Sequence, residues 1–178
     1  LAYIFGIALF LFGCVTSLET TRMMVHLNPN DAEAHLNLGN KYFELSRYQE
    51  SISSYKEATR IKPDYFLAHL NIATTYMTLS RFQESLPYYK KALQIKPNHA
   101  NAHTQLGIAY ESMGRNDEAI AKYKESLRIN PDGSFARFWL DKLERKIAQA
   151  KLSPPSSKSA PQPSQKQTPQ SGTGSGFF

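Results

Sequence analysis

Apolar positions in the middle of the chain recur at helical spacing, and the spacing itself recurs. Over residues 32–45, Leu38, Tyr42 and Leu45 fall three or four apart. After a short break, residues 48–61 place Ile52, Tyr55 and Ala58 on one face of a second helix. Pro63 then stops the unit, because proline cannot continue a helix and restrains the residue before it. The pattern begins again from there. Leu27-Asn28-Pro29, Ile61-Lys62-Pro63, Ile95-Lys96-Pro97 and Ile129-Asn130-Pro131 follow one another at intervals of 34 residues. The same interval separates His35, His69 and His103; Tyr42, Tyr76 and Tyr110; Arg47, Arg81 and Arg115; and Tyr55, Tyr89 and Tyr123. A shared period at so many positions marks repetition of one two-helix unit.

Small residues predict how the two helices of a unit meet. Gly39, Ala73 and Gly107 share one register position on the first helix. Ser51, Ser85 and Ala119 share one on the second, with Ala58, Ala92 and Ser126 further along. Side chains this small let backbones approach closely, and the tyrosines fill the volume beside them. Glu50, Glu84 and Glu118 stand early in the second helices, and Arg60, Lys90 and Arg128 late, which complements the helix dipole. Pro87 is expected in the first turn of its helix, where a missing N–H matters least.

The run His-Leu-Asn-Leu-Gly-Asn-x-Tyr, then Tyr-x-Glu-Ser-Ile-x-x-Tyr-x-x-Ala, then Ile-Lys-Pro resembles the tetratricopeptide repeat. The resemblance implies an all-α fold, a helix-turn-helix solenoid wound into an α-α superhelix. Its three copies occupy residues 32–65, 66–99 and 100–133, with a half-repeat at 16–31 and a capping helix at 134–152. In the cap, Phe135, Phe138, Trp139, Leu143 and Ile147 form the expected apolar stripe, with Arg137, Asp141, Glu144 and Arg145 opposite. The chain departs from the family pattern at the first motif position, which is His in all three copies. It departs again at the turn between helices, where glycine stands only at Gly114, with Ser46 and Ser80 elsewhere.

By the same resemblance, the first helix of each unit lines a concave face that holds a protein or peptide partner. Two residues after each histidine come Asn37, Asn71 and Gln105. A primary amide both donates and accepts, so such a ladder can pair with an extended peptide backbone whatever its side chains. It is similar to the asparagine ladders of longer arrays in the family. Asn40, Phe43, Thr74, Met77 and Glu111 are expected in the same groove. The competing reading keeps these amides as helix-packing residues. Family members that clamp the terminal carboxylates of heat-shock chaperones use Lys and Arg here. This chain has Leu36, Asn40, Asn71, Asn101 and Gln105, so the cations of that clamp are missing.

Charge changes this picture little. The net charge is +6 and the pI about 9.4, but Lys56, Lys90 and Lys124 alternate with Glu50, Glu84 and Glu118, which reads as a solvated outer face rather than a nucleic-acid surface. Histidines at equivalent positions of successive units sit on helices about 8–10 Å apart, too far to share an ion held at about 2 Å. No metal is expected. Nucleophile, phosphate-loop and metallohydrolase motifs are missing, and Cys14 has no activating base beside it. The sequence reads as non-catalytic, without cofactor or small-molecule substrate.

The ends differ from the middle. Residues 1–15 carry no charge and are shorter than the roughly 20 apolar residues a spanning helix needs. Leu11-Phe12-Gly13-Cys14 resembles a bacterial lipoprotein signal, although Phe12 is larger than usual and no basic stretch precedes it. The resemblance implies removal of residues 1–13 and lipid on Cys14. With Val15 rather than Asp following, it further implies the periplasm and outer membrane. The implied role is a membrane-tethered scaffold in assembly of an envelope or pilus complex. Two alternatives stand: an uncleaved membrane helix cut short at its start, anchoring a regulatory or accessory subunit of an enzyme complex, or a degenerate buried repeat helix. Residues 153–178 hold five prolines and no acidic residue, a composition that cannot bury enough surface to fold.

Overall fold

A helix pair closes only if the chain can reverse sharply between its members, and three left-handed residues do this. Ser46, Ser80 and Gly114 have φ of 58°, 56° and 74°. At each, the next residue, an arginine, donates its N–H back to a tyrosine carbonyl: Arg47 to Tyr42 at 2.8 Å, and Arg81 to Tyr76 and Arg115 to Tyr110 at 2.9 Å. This six-to-one bond ends the first helix in a Schellman turn. Each arginine also covers the ring of that same tyrosine, 4.6–4.9 Å from its centroid. Its guanidinium then pairs with the glutamate three residues on, Glu50, Glu84 or Glu118, and holds that carboxyl below its usual range. The Tyr–Arg–Glu register is therefore one local device that stops one helix and starts the next.

The computed structural model describes residues 17–152. The anchor reading of residues 1–15, with Cys14, and the tail 153–178 lie outside the described residues. Within them, α1 runs over 17–27. Next come α2 Ala32–Glu44, α3 Tyr48–Ile61, α4 Phe66–Thr78, α5 Phe82–Ile95, α6 Ala100–Ser112, α7 Asn116–Ile129 and α8 Ser134–Leu152. The described residues contain no strand, and no helix among them is long and apolar enough to cross a membrane. The antiparallel pairs α2–α3, α4–α5 and α6–α7 stack in order, and α8 closes the stack against α7 and α6. This is the all-α superhelix that the repeat predicts. At the other end, α1 and α2 wall a shallow cleft lined by Arg22, Met23, Val25, His26 and Leu38.

Small-residue contacts hold each pair. A methyl built on Gly39 would lie 2.5 Å from Cδ1 of Tyr55, and one on Gly107 2.5 Å from Cε1 of Tyr123. Tyr55, Tyr89 and Tyr123 are the largest fully buried side chains. Leu36, Ile52, Tyr55, Ala68, Ile72 and Tyr76 form one core cluster. Leu86, Tyr89, Leu106, Tyr110, Tyr123 and Leu143 belong to a second, and Tyr88 packs against both. Its ring stacks on Tyr76 at 5.7 Å.

Three expectations need correction. Pro87 is the sixth residue of α5, not in its first turn. The helix runs through it unbroken because its ring is exposed, and the carbonyl it leaves unbonded belongs to an exposed Gln83. Lys90 likewise stands short of the last turn of α5, whereas Arg60 and Arg128 lie in theirs. In α8 three of the five expected stripe residues, Trp139, Leu143 and Ile147, do face the core together with Ala136 and Leu140, but Phe135 and Phe138 remain 51% and 58% exposed. Small Ala136 lets α8 approach the array closely, and that approach rotates the two phenylalanines away from the core.

Candidate peptide-binding groove

The histidines that open each first helix fasten the turn behind them. Nε2 of His35 lies 3.0 Å from the Pro29 carbonyl oxygen, that of His69 2.9 Å from Pro63, and that of His103 2.8 Å from Pro97. A carbonyl only accepts, so Nε2 carries the proton and donates in all three. No group of three or more His, Cys, Asp or Glu among the described residues is placed to hold a metal ion. These contacts fix the entry angle of α2, α4 and α6, and so fix the line along which their groove positions succeed one another.

Four of the eight residues singled out from the sequence meet at one place. Asn40, Phe43, Asn71 and Thr74 line a concavity of about 290 Å³ between α2 and α4, together with Glu44 and Tyr55. Its floor is a hydrogen-bond network. Oδ1 of Asn40 accepts from Oη of Tyr55 at 2.7 Å and from Nδ2 of Asn71 at 3.0 Å. Burial pushes the Tyr55 phenol above its ordinary pKa, which keeps it a neutral donor. Asn40 and Asn71 therefore pair with each other, the packing role that competed with ligand binding. Phe43 stands at the rim, edge-on to Tyr48 at 5.4 Å.

The other four go elsewhere. Asn37 is exposed and Gln105 half-buried, each with no hydrogen-bond partner for its side chain among the described residues. Met77 packs against the second core cluster. Glu111 accepts from Oη of Tyr123 at 2.8 Å, and burial together with that carboxylate pushes the phenol's pKa up. Tyr89, the equivalent of Tyr55 and Tyr123, has burial pushing its pKa to about 12. Its hydroxyl makes no hydrogen bond of good geometry.

Sequence reasoning missed Tyr55 and Glu44 as pocket residues, having read Tyr55 only as volume. The available signal was at the register position of Asn40. Its counterparts Thr74 and Ile108 offer a buried tyrosine no amide oxygen, so this position marks one pair as different.

Two tetratricopeptide repeat family profiles match the chain, one described as "Tetratricopeptide repeat" over residues 64–132 and one as "TPR repeat" over residues 39–80. No curated protein sequence matches it. Solved structures resemble it throughout the fold. MamA from Desulfovibrio magneticus RS-1 superposes with a TM-score of 0.72 at 17% identity, covering 85% of both chains. The first tetratricopeptide domain of Spaghetti (RPAP3), bound to the HSP90 peptide SRMEEVD, gives 0.63 at 25% identity over 66% of this chain and 93% of that one. The Arabidopsis OM64 tetratricopeptide domain gives 0.62 at 24% over 65% and 96%. Repeat spacing, Schellman turns, helix pairing and these matches agree: the chain belongs to the tetratricopeptide repeat family.

Proposed function

We propose that the protein is a non-catalytic scaffold that holds a peptide element of another protein in the groove along α2, α4 and α6. The tetratricopeptide fold is a protein–protein interaction scaffold, which supports the general reading. The observation that carries the specific one is the pair of unengaged amides, Asn37 on α2 and Gln105 on α6, at the register position that Asn71 holds on α4. An amide without an internal partner is free to bond a guest backbone, whereas Asn40 and Asn71 hold the wall in shape. Met77 packs into the second core cluster, and Glu111 holds Tyr123 in place. A neighbour at 25% identity carries an HSP90 peptide. Leu36, Asn101 and Gln105 replace the cations a carboxylate clamp needs, so the guest here is a different peptide class.

The test separates the two kinds of amide. Asn37→Ala with Gln105→Ala lowers affinity for a crosslinked partner by about 1–3 kcal/mol in total, at about 0.5–1.5 kcal/mol per hydrogen bond, and leaves the unfolding midpoint unchanged. Asn40→Leu is not a clean binding probe. It strands the buried Tyr55 hydroxyl and destabilises the fold by about 1–3 kcal/mol. Full affinity in the Asn37/Gln105 double variant removes the groove reading.

We further infer a tether at residues 1–15, which carry no charge, placing the scaffold at a membrane where an envelope or pilus complex is built. Intact mass of the mature protein decides how it is held. Loss of residues 1–13 with a diacylated Cys14 supports a lipoprotein, and an uncleaved start supports a membrane helix.

A further inference from the structure

The repeat register runs on into α8, and the chemistry changes there. Thirty-four residues after His103 stands Arg137, whose Nη2 donates to the Pro131 carbonyl at 3.0 Å, as the histidines do to Pro29, Pro63 and Pro97. With its packing on α7 and α6, this puts α8 where the first helix of another pair would lie. On the side that would receive a second helix, Asp141 replaces the small residues Gly39, Ala73 and Gly107, and Glu144 replaces Tyr42, Tyr76 and Tyr110. Both are exposed, and Glu144 pairs with Lys124 at 3.7 Å. A helix stacked there, from this chain or a second copy, would bury these charges at a large desolvation penalty. The array ends at this face.

The groove side of α8 is different. Where α2 carries Glu33, Leu36 and Asn37, the register puts Phe135, Phe138 and Trp139. Where α2 carries Asn40, Phe43 and Glu44, it puts Lys142, Arg145 and Lys146. Phe135 and Phe138 meet the Trp139 ring edge-on at 6.2 and 5.7 Å, and the Lys142 ammonium sits 4.1 Å above that ring. Neither phenylalanine is needed to seat α8, because Ala136, Leu140 and Leu143 do so. The position that holds Asn71 in α4 and Gln105 in α6 has become an indole, half-buried against the second core cluster with its N–H enclosed, so that it backs the two exposed phenylalanines. The groove therefore grades from amides and carboxylates at α2 to aromatics and cations at α8.

We propose that Phe135, Phe138 and Trp139, with Lys142, Arg145 and Lys146, form an anchor subsite for an acidic partner segment that carries an aromatic or large aliphatic residue. This rests on the groove reading above and names the end at which the guest is gripped. Charge selects the occupant. Lys142 and Lys146 form no ion pair among the described residues and carry the free charge, whereas Arg145 donates to the backbone carbonyl of Asp141 and borders a cleft with Asp141 and Glu144. The carboxylate at the groove positions of α6, Glu111, is engaged by Tyr123. The chain's own tail 153–178 ends in two phenylalanines but carries two lysines and no acidic residue, so this end repels it. With Glu33 at the far end, where Glu44 is paired with Lys41 at 2.6 Å, the guest lies with its acidic part on α8.

Trp139 is the single tryptophan of the chain and is half-buried between this subsite and the second core cluster, so an emission change counts as binding only where the urea midpoint of the peptide-free chain is unchanged. A synthetic peptide of Glu, Ser and Gly around a central Phe-Leu pair is titrated into the full chain. The expected result is a saturable change in Trp139 emission that weakens with salt. Phe135→Ser with Phe138→Ser loses about tenfold or more in affinity, as truncated aromatic anchors do. Lys142→Gln, Arg145→Gln and Lys146→Gln together flatten the salt dependence. Equal binding of a peptide with Lys in place of Glu overturns the proposal. So does an emission change on deleting residues 153–178 alone, which identifies the tail as occupant, or one that follows protein concentration, which identifies a second copy. Peptide binding that depends on Asn37 and Gln105 but leaves Trp139 silent removes the anchor and keeps the groove. A Trp139 response indifferent to those amides does the reverse.

Discussion

Leu143→Ala lowers the stability of the array by about 3 kcal/mol, within the range for emptying a buried leucine site. Leu143 has no exposed surface and completes the second core cluster, with Leu86, Leu106, Tyr110, Tyr123 and Leu140. It does so from α8, the last helix among the described residues, where it is buried against the α6–α7 pair. The loss is also placed. Stacked units couple mainly to their neighbours, so amide exchange should rise first in α6, α7 and α8 while α2 and α3 keep their protection. Phe138→Ala, on the same helix but mostly exposed, should leave the urea midpoint nearly where it was. A uniform rise in exchange along all the helices would mean that the array opens as one unit and that Tyr88 couples the two clusters tightly.

Gly39→Leu destabilises by up to about 3 kcal/mol, the upper end for overpacking a well-filled contact. The obstacle is the ring of Tyr55, which lies 2.5 Å from the place any Cβ on residue 39 would take. Tyr55 is only 2% exposed, and its hydroxyl is bonded to Asn40, so the ring has little room to retreat. Moving it would also break the network that floors the groove. One methyl is a smaller demand, since Ala73 holds this register position in the second pair beside a fully buried Tyr89. Urea unfolding of Gly39→Ala and Gly39→Leu separates the cases. Equal midpoints for the two would show that the ring moves freely and that the close approach is not what requires glycine.

Most of the fold was legible because its determinants are local. Tyr42, Arg47 and Glu50 lie within nine positions of one another, and their shared period shows three times over where one helix stops and the next starts. Gly39, Ala73 and Gly107 marked the close contact because small size has the same packing meaning wherever the backbone runs. The groove was legible only in part. Asn40, Phe43, Asn71 and Thr74 share a pocket, but spacing could not say that Asn71 would bond Asn40, a residue 31 positions away, rather than a guest. That choice is set by how closely α2 and α4 pack, which brings the two side chains to 3.0 Å.

The sequence by itself determined the two-helix unit, its number of clear copies, the turns and the residues where helices touch. All of these follow from helical periodicity and residue size along a single chain. Tertiary structure alone decided how α8 is rotated and which amides remain free. The apolar stripe read from α8 held five candidates spread over about half its circumference, and the rotation the helix takes sets Trp139, Leu143 and Ile147 against the second core cluster. The surface of α7 and α6 selected that rotation, which seats Ala136, Leu140 and Leu143, because only a small residue at 136 lets the helix close on the core. Phe135 and Phe138 came to lie exposed as a consequence of that packing, with Trp139 half-buried against the core beside them.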